Sequence, residues 1–385
     1  MTSTTTVPGQ TERTADWPFL TAAIVAAGVL VALVLIDGQP NSAALIVLGF
    51  ALGVTFLKAE FSFTASWRRF LLHGEAGGLL AILLLIALSA VVIVPAAARL
   101  PGFGGAIAPI GPSLVIGAFV FGVGMQLANG CGSGTLYTVG GGSGRMLIAL
   151  LFFIVGSVIG SLHLPAFLAL GGIDPVLASD YFGPWGGLAA TLASIALVAV
   201  VVVAVARRRG ARVAPQPALA VGAVAIGLLL IAVFVVGGHP WSVTFGFTVW
   251  GAKVANLLGA DLSRAEFWQW PGPKQALSDS ILSDTASLTN LGMIFGAMAA
   301  AAGSRPFARA SWPPAPSLFA AAIGGLLMGW GARLGFGCNI GAFVGGVASG
   351  SLHGWIWFAA ALIGSSAGIK LRPAYGLSIE RLKDA

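Results

Sequence analysis

An all-α polytopic membrane protein, with about nine transmembrane helices, short re-entrant helices and two inverted pseudo-symmetric repeats, is the fold class that three observations predict. The 385-residue chain is 57% hydrophobic and 9% charged, with a mean hydropathy of +0.94, whereas a soluble globule carries roughly 25% charged residues. So few charges cannot cover a water-exposed surface, and lipid must be the solvent. Many of the apolar runs reach the roughly 20 residues, range about 17 to 25, that a bilayer-crossing helix needs. Finally, one pattern of glycines around a cysteine occurs twice, at Cys131 and again at Cys338.

The elements follow in chain order. Before the first apolar run, Met1 to Trp17 set Arg13 against Glu12 and Asp16, and no small-residue cleavage site follows, so 19–36 is expected to be a retained helix rather than a signal. The segment 43–57 is shorter, punctuated by glycine and followed by Lys58, Glu60, Arg68 and Arg69, which predicts a re-entrant hairpin. Spans are expected at 77–95, from 113 into the first cysteine motif, and at 146–162, 187–206 and 218–236. A second short segment, 243–258, precedes Asp261, Arg264 and Glu266 and is again predicted to be re-entrant. Spans at 286–302, from 316 into the second cysteine motif, and at 354–369 complete the nine. Non-helical backbone at membrane depth is tolerated only where protein or a cavity covers it, so the glycine-rich breaks at 129–144 and 335–350 are expected to line an interior path.

The formal net charge of +7 is concentrated at the ends of apolar runs, as at Arg207, Arg208, Arg209 and Arg212. That is the mark of cytoplasmic loops under the positive-inside rule, not of nucleic-acid binding. Placing Lys58, Arg68, Arg69, Arg145, the 207–212 cluster, Arg305, Arg309, Lys370 and Arg372 in the cytoplasm leaves 163–186 and 237–242, free of Lys and Arg, outside. The amino terminus then falls outside and the carboxyl terminus inside a cell (inner) membrane. The expected organisation is a polar tail at 1–18, a first repeat at 19–186, a linking helix and basic loop at 187–217, an inverted second repeat at 218–372 and a tail at 373–385.

Glycines stand seven and fourteen residues before each cysteine, at Gly117 and Gly124 and at Gly324 and Gly331, and one immediately before each, Gly130 and Gly337. Gly134 and Gly341 each lie three residues beyond. Both copies run through a Gly/Ser stretch into a helix with a central Gly-Ser, Gly156-Ser157 and Gly364-Ser365. Glycine spacing alone reads as close helix packing, and a lone cysteine in an apolar helix as a small inert hydrophobe. The two breaks, and the confinement of both cysteines to equivalent positions, go beyond those readings. Inverted repeats with broken helices meeting near the midplane are a recurrent transporter plan, with half-helix amino termini aimed at anionic groups.

The segments Asn129-Gly-Cys-Gly-Ser-Gly-Thr135 and Gly335-Phe-Gly-Cys-Asn-Ile-Gly-Ala342 resemble the signature of the YeeE/YedE family of sulfur transporters, which includes thiosulfate uptake proteins. Gly49 to Phe70 and Trp250 to Asn256 resemble its short non-spanning elements, so the resemblance covers about 43 to 372. It implies a nine-span, hourglass-shaped helical protein in which thiosulfate passes between cysteines on the central axis, here Cys131 and Cys338. It also implies an intracellular sulfur-relay protein as partner. Some members carry a third cysteine in the first re-entrant element, where this chain has Ser62.

A thiol is a weak donor and a polarizable partner, suited to the soft terminal sulfur of thiosulfate. A dianion in hydrocarbon is costly, so the backbone N–H groups after Gly132 and Asn339, with the side chains of Gln126, Asn129 and Asn339, are expected to form an anion nest. Lys253 either adds positive potential at a pore mouth or snorkels to the interface. Arg333 either binds the anion or pairs with a helix end. His73, His163, His239 and His353 fall near segment ends and are expected to be interfacial, with no metal, and no P-loop or other cofactor motif occurs. The chain is therefore expected not to be an enzyme. The competing readings are a transporter of another sulfur or selenium species, a membrane sulfurtransferase working through a cysteine persulfide, and a structural subunit with no pore.

Overall fold

The computed structural model describes residues 15–304 and 313–378; Arg305, Arg309 and most of both tails lie outside the described residues. Among the described residues the regular structure is helical, apart from the isolated bridges Ile110–Ile173 and Leu177–Ser351. Ten segments among the described residues are long and apolar enough to cross a membrane, and the chain is a multi-pass membrane protein. In order, α1 is Trp17–Ile36, α2 Pro40–Lys58, α3 Phe63–His73, α4 Gly77–Arg99, α5 Pro112–Ala128, α6 Gly132–Gly140, α7 Gly144–Leu168 and α8 Ala178–Arg208. The second half holds α9 Pro217–Gly237, α10 Val243–Leu257, α11 Pro271–Ser278, α12 Thr285–Ala302, α13 Ala315–Leu334, a π-helix Asn339–Val344, α14 Gly345–Ala348 and α15 Leu352–Leu371.

The tenth candidate span comes from the segment expected to be a re-entrant hairpin. α2 has 19 residues, about 28 Å at 1.5 Å per residue, enough for a hydrocarbon core of about 30 Å. Its glycines are contact points rather than breaks: Gly49 and Gly53 lie against the backbone of Thr289 and Met293, and Gly292 and Gly296 of α12 against Ile46 and Phe50. The short element of the first half is instead α3, 11 residues, and α10, 15 residues, is short as expected.

The two halves pack as exchanged copies. α5 packs on α15, α13 packs on α7, and α5 packs on α13. α3 touches α4, α5 and α15, while α10 touches the corresponding α12, α13 and α7. The α5–α13 crossing is antiparallel and made by the repeated glycines. A methyl at Gly124 would stand 2.7 Å from the carbonyl oxygen of Gly324, and one at Gly331 would stand 2.6 Å from that of Gly117. No side chain fits between the two helices there, because separations that small are well inside van der Waals contact.

One end of the bundle gathers the basic residues. The Asp16 N–H donates to the Ala302 carbonyl at 2.8 Å and the Ala76 N–H to that of Arg212 at 3.0 Å, while Lys58 Nζ donates to Ser304 Oγ at 2.6 Å. The start of α1 thus shares an end of the bundle with Lys58 and Ser304.

Candidate functional site

Both helix breaks end on a cysteine with nearly the same backbone conformation. Cys131 has φ −96° and ψ −168°, and Cys338 has φ −110° and ψ −165°. Each stands just before a short helix, α6 or the π-helix, because the preceding helix ends in a positive-φ residue, Asn129 at 65° and Phe336 at 59°, followed in the second copy by Gly337 at 148°. At Gly337 a methyl would also stand 2.7 Å from the Ala342 nitrogen. Glycine is required there on both counts.

The thiols are free and buried. Cys131 is 2% and Cys338 0% exposed. The Gly134 N–H donates to Cys131 Sγ at 3.4 Å, with Ser133 Oγ at 3.5 Å. A methyl on Gly132 would fall 2.8 Å from Cys338 Sγ and 3.5 Å from the Thr244 methyl, so the residue after one cysteine packs on the sulfur of the other. Gly130 faces the Met146 methyl, Gly134 faces Cys131 Sγ, and Gly341 has only the Trp241 oxygen at 3.9 Å. Beside Cys338, Asn339 is fully buried and neither its Nδ2 nor its Oδ1 has a partner. A buried amide left unpaired costs about 1–3 kcal/mol, so this corner suits a polar guest.

A cavity of about 790 Å³ opens at the basic end, lined among others by Lys58, Arg69, Arg212, Glu60, Ser62 and Tyr137. Ser62 caps α3 by accepting from the Ala65 N–H at 3.2 Å, and the same position faces the cavity. Tyr137 lies on α6, which begins just after Cys131, and donates to the Phe61 carbonyl at 3.3 Å. The cavity therefore reaches the helix that carries the first thiol.

Other expected site residues have structural partners. Gln126 Oε1 and Asn129 Oδ1 accept from Arg68 Nη1 at 3.3 and 2.9 Å, and Gln126 Nε2 donates to the Thr64 carbonyl at 3.4 Å. Arg372 Nη1 donates to the Gln126 carbonyl at 2.6 Å and to Asn129 Oδ1 at 3.3 Å. Arg145 donates to the carbonyls of Ala128 and, at 2.7 Å, Leu127. Three arginines thus cap the end of α5, whose last carbonyls have no helical partner. The sequence shows these arginines only as loop charges, because Arg68 and Arg372 lie far from Asn129 along the chain and meet it only in the packed bundle. Lys253 Nζ donates to the carbonyls of Leu277 and Asp279, tying α10 to the end of α11. His353 is 1% exposed rather than interfacial, with Ser351 Oγ 2.8 Å from Nδ1, because α15 begins inside the bundle beneath the second break.

The profile of a family described as Sulphur transport matches residues 58–367. The probable transporter YedE of Escherichia coli (strain K12) is 34% identical over 172 residues, covering 44% of this chain and 41% of that protein. The thiosulfate transporter TsuA of Spirochaeta thermophila is 29% identical over 258 residues, 63% of this chain and 72% of that protein. TsuA of Escherichia coli is 28% identical over 268 residues, 65% of this chain and 71% of that protein. The aligned part of this chain thus spans less than half the length of the YedE relative.

Proposed function

The chain belongs to the sulphur-transport family, and from that premise we propose that it takes up thiosulfate or a closely related sulfur anion across the cell (inner) membrane, along a path through Cys131 and Cys338. The observation that carries this reading is the pair of free thiols brought together from two inverted copies, with Gly132 against Cys338 Sγ and the unpartnered Asn339 amide beside them. Thiols hold the terminal sulfur of thiosulfate weakly, and weak sites let a substrate leave as well as enter. Asn339 and the N–H groups at the start of α6 offset the oxygen charge that a dianion brings into a low-dielectric interior. Gly130, Gly134, Gly337 and Gly341 keep the backbone bare around the thiols. Ser62 stands where the path meets the basic cavity, and Lys58, Arg69 and Arg212 give that mouth a positive lining. Gln126, Asn129 and Lys253 serve this path indirectly, through the end of α5 and the α10–α11 contact.

On this reading both termini lie in the cytoplasm, as an even number of crossings requires, and the basic cavity is the inner mouth. The repeat units are α2–α7 and α9–α15, with α1 and α8 outside them, and α8 supplies the extra crossing that inverts the second unit. A thiosulfate-carrying relay protein is the cytoplasmic partner. Ser62 favours one alternative cargo, another sulfur or selenium species, since a hydroxyl is a harder partner than a thiol. The sulfurtransferase reading requires an activated thiolate, whereas both cysteines sit in the main apolar cluster.

The test is uptake of labelled thiosulfate by proteoliposomes holding the wild type, Cys131→Ala or Cys338→Ala, with sulfate, sulfide and selenite as competitors. Uptake by the wild type that collapses in both variants supports the path. Well-folded wild type that accumulates no thiosulfate, or alanine variants that transport normally, would end it.

A further inference from the structure

Arg333 lies five residues before Cys338, as Gln126 lies five before Cys131. The repeats conserve the bond each position makes but exchange its charge. Arg68 and Thr248 each stand six residues after the serine that precedes α3 or α10, Ser62 or Ser242. In the first copy Arg68 donates across to Gln126; in the second Arg333 donates across to the Thr248 hydroxyl at 3.4 Å. The arginines at the end of α5 are matched to carbonyl oxygens. Arg333 is not.

Arg333 is 9% exposed, its Nε has no partner, and it has no carboxylate partner among the described residues. The rings of Phe245 and Phe267 lie over its guanidinium, with centroids 5.8 and 5.4 Å from Cζ. Those rings stabilise a cation but accept no strong hydrogen bond. A buried guanidinium satisfied only this far is costly, and inside a membrane such a charge marks a pathway by default. Its place agrees: Thr248 Oγ1 donates to the Thr244 carbonyl at 2.9 Å, and the Thr244 methyl is 3.5 Å from the Gly132 Cβ position that also meets Cys338 Sγ. Arg333 therefore stands about one helical turn, ~5.4 Å, along α10 from the thiols, on the side away from the basic cavity and beneath Phe267 of the 261–270 loop.

We propose that Arg333 is the anion-binding residue on the approach to Cys338 opposite the basic cavity, holding the oxygens of an incoming sulfur oxyanion while its terminal sulfur reaches the thiol. The planar fork of a guanidinium matches two oxygens of such an anion, and Thr248 keeps the fork in place. The inference rests on the transport reading above and names the oxyanion end of that site.

Two measurements on the purified full chain test it: the shift in thermal midpoint with sodium thiosulfate over sodium chloride at equal ionic strength, and the concentration dependence of thiosulfate uptake in proteoliposomes. The wild type is expected to be stabilised by thiosulfate. Arg333→Gln should lose that shift and raise the half-saturating concentration by about tenfold or more, the range of a lost charge-assisted hydrogen bond; Arg333→Lys should fall between. A purely structural arginine would instead lower the midpoint without thiosulfate and leave the thiosulfate-induced shift intact, and that result overturns the proposal. Should Arg333→Gln fail to fold, Arg333→Lys decides, because an unchanged half-saturating concentration in it refutes a two-oxygen contact. A wild type neither stabilised by thiosulfate nor transporting it removes the substrate reading and this proposal together. Transport lost in Cys338→Ala but normal in Arg333→Gln removes this one alone.

Discussion

Gly132→Ala is the sharpest test of the sulfur-to-backbone contact. Gly132 opens α6 with ordinary helical geometry, so alanine meets no backbone penalty and has the better helix propensity, by up to about 1 kcal/mol. What it meets is the other half of the protein, since its methyl would lie 2.8 Å from Cys338 Sγ, roughly 1 Å inside an optimal contact. Overpacking of this kind costs about 1–3 kcal/mol. Charged to the passage of substrate between the thiols, that is a fall in rate of about fivefold to 150-fold. The assay is initial thiosulfate uptake in proteoliposomes, beside a thermal midpoint that confirms folding. Gly28→Ala is the control, because nothing lies within 4 Å of its Cβ position and its uptake should stay near wild type. Gly132→Ala/Cys338→Ala should regain thermal stability, the sulfur having made room, without regaining uptake. Gly132→Ala that folds and transports like the wild type would refute the argument that substrate passes this contact.

Three further outcomes are expected. Arg145→Ala strips the carbonyls of Leu127 and Ala128 of their donors, which should cost about 1–3 kcal/mol, read as a lower thermal midpoint in detergent. Gly324→Leu forces a side chain into the α5–α13 crossing, where Gly124 O is 2.7 Å from the new Cβ, and should abolish monodisperse protein in size-exclusion chromatography, while Gly28→Leu, with open space around it, should not. Burial pushes the Asp284 carboxyl, which caps α12, above the ordinary carboxylate range, opposed by its bonds to Ser287. A raised folded pKa means that its contribution is fully present below the unfolded pKa and is lost as pH rises through the folded one. Asp284→Asn should therefore gain most in thermal midpoint at neutral pH and little at acid pH, and a pH-independent gain would show that burial of the charge is not the cause.

Much of the architecture was legible because the bilayer imposes a simple rule on sequence: a helix that crosses must be apolar for its full length. Nine of the ten candidate spans could be read that way, and so could the breaks, since glycines recurring at fixed distances from two cysteines have few explanations. α2 could not, because glycine writes the same letter whether it ends a helix or lets another helix approach. Gly49 and Gly53 became packing residues only once α12 lay against them. That single ambiguity is the difference between nine candidate spans and ten.

By itself, then, the sequence determined that the chain lives in lipid, that one glycine–cysteine pattern occurs twice, and that Cys131 and Cys338 stand at its equivalent positions. Those are properties of composition and period, carried by each segment alone. The tertiary structure decided what depends on who meets whom. It set Gly132 against Cys338 Sγ, turned Gln126 and Asn129 toward Arg68 and Arg372, and gave Lys253 to the end of α11. A hydrogen bond saturates its partner, so a polar residue's role is set by whichever group reaches it first. Only the packed bundle leaves Asn339 and Arg333 with atoms that no neighbour satisfies.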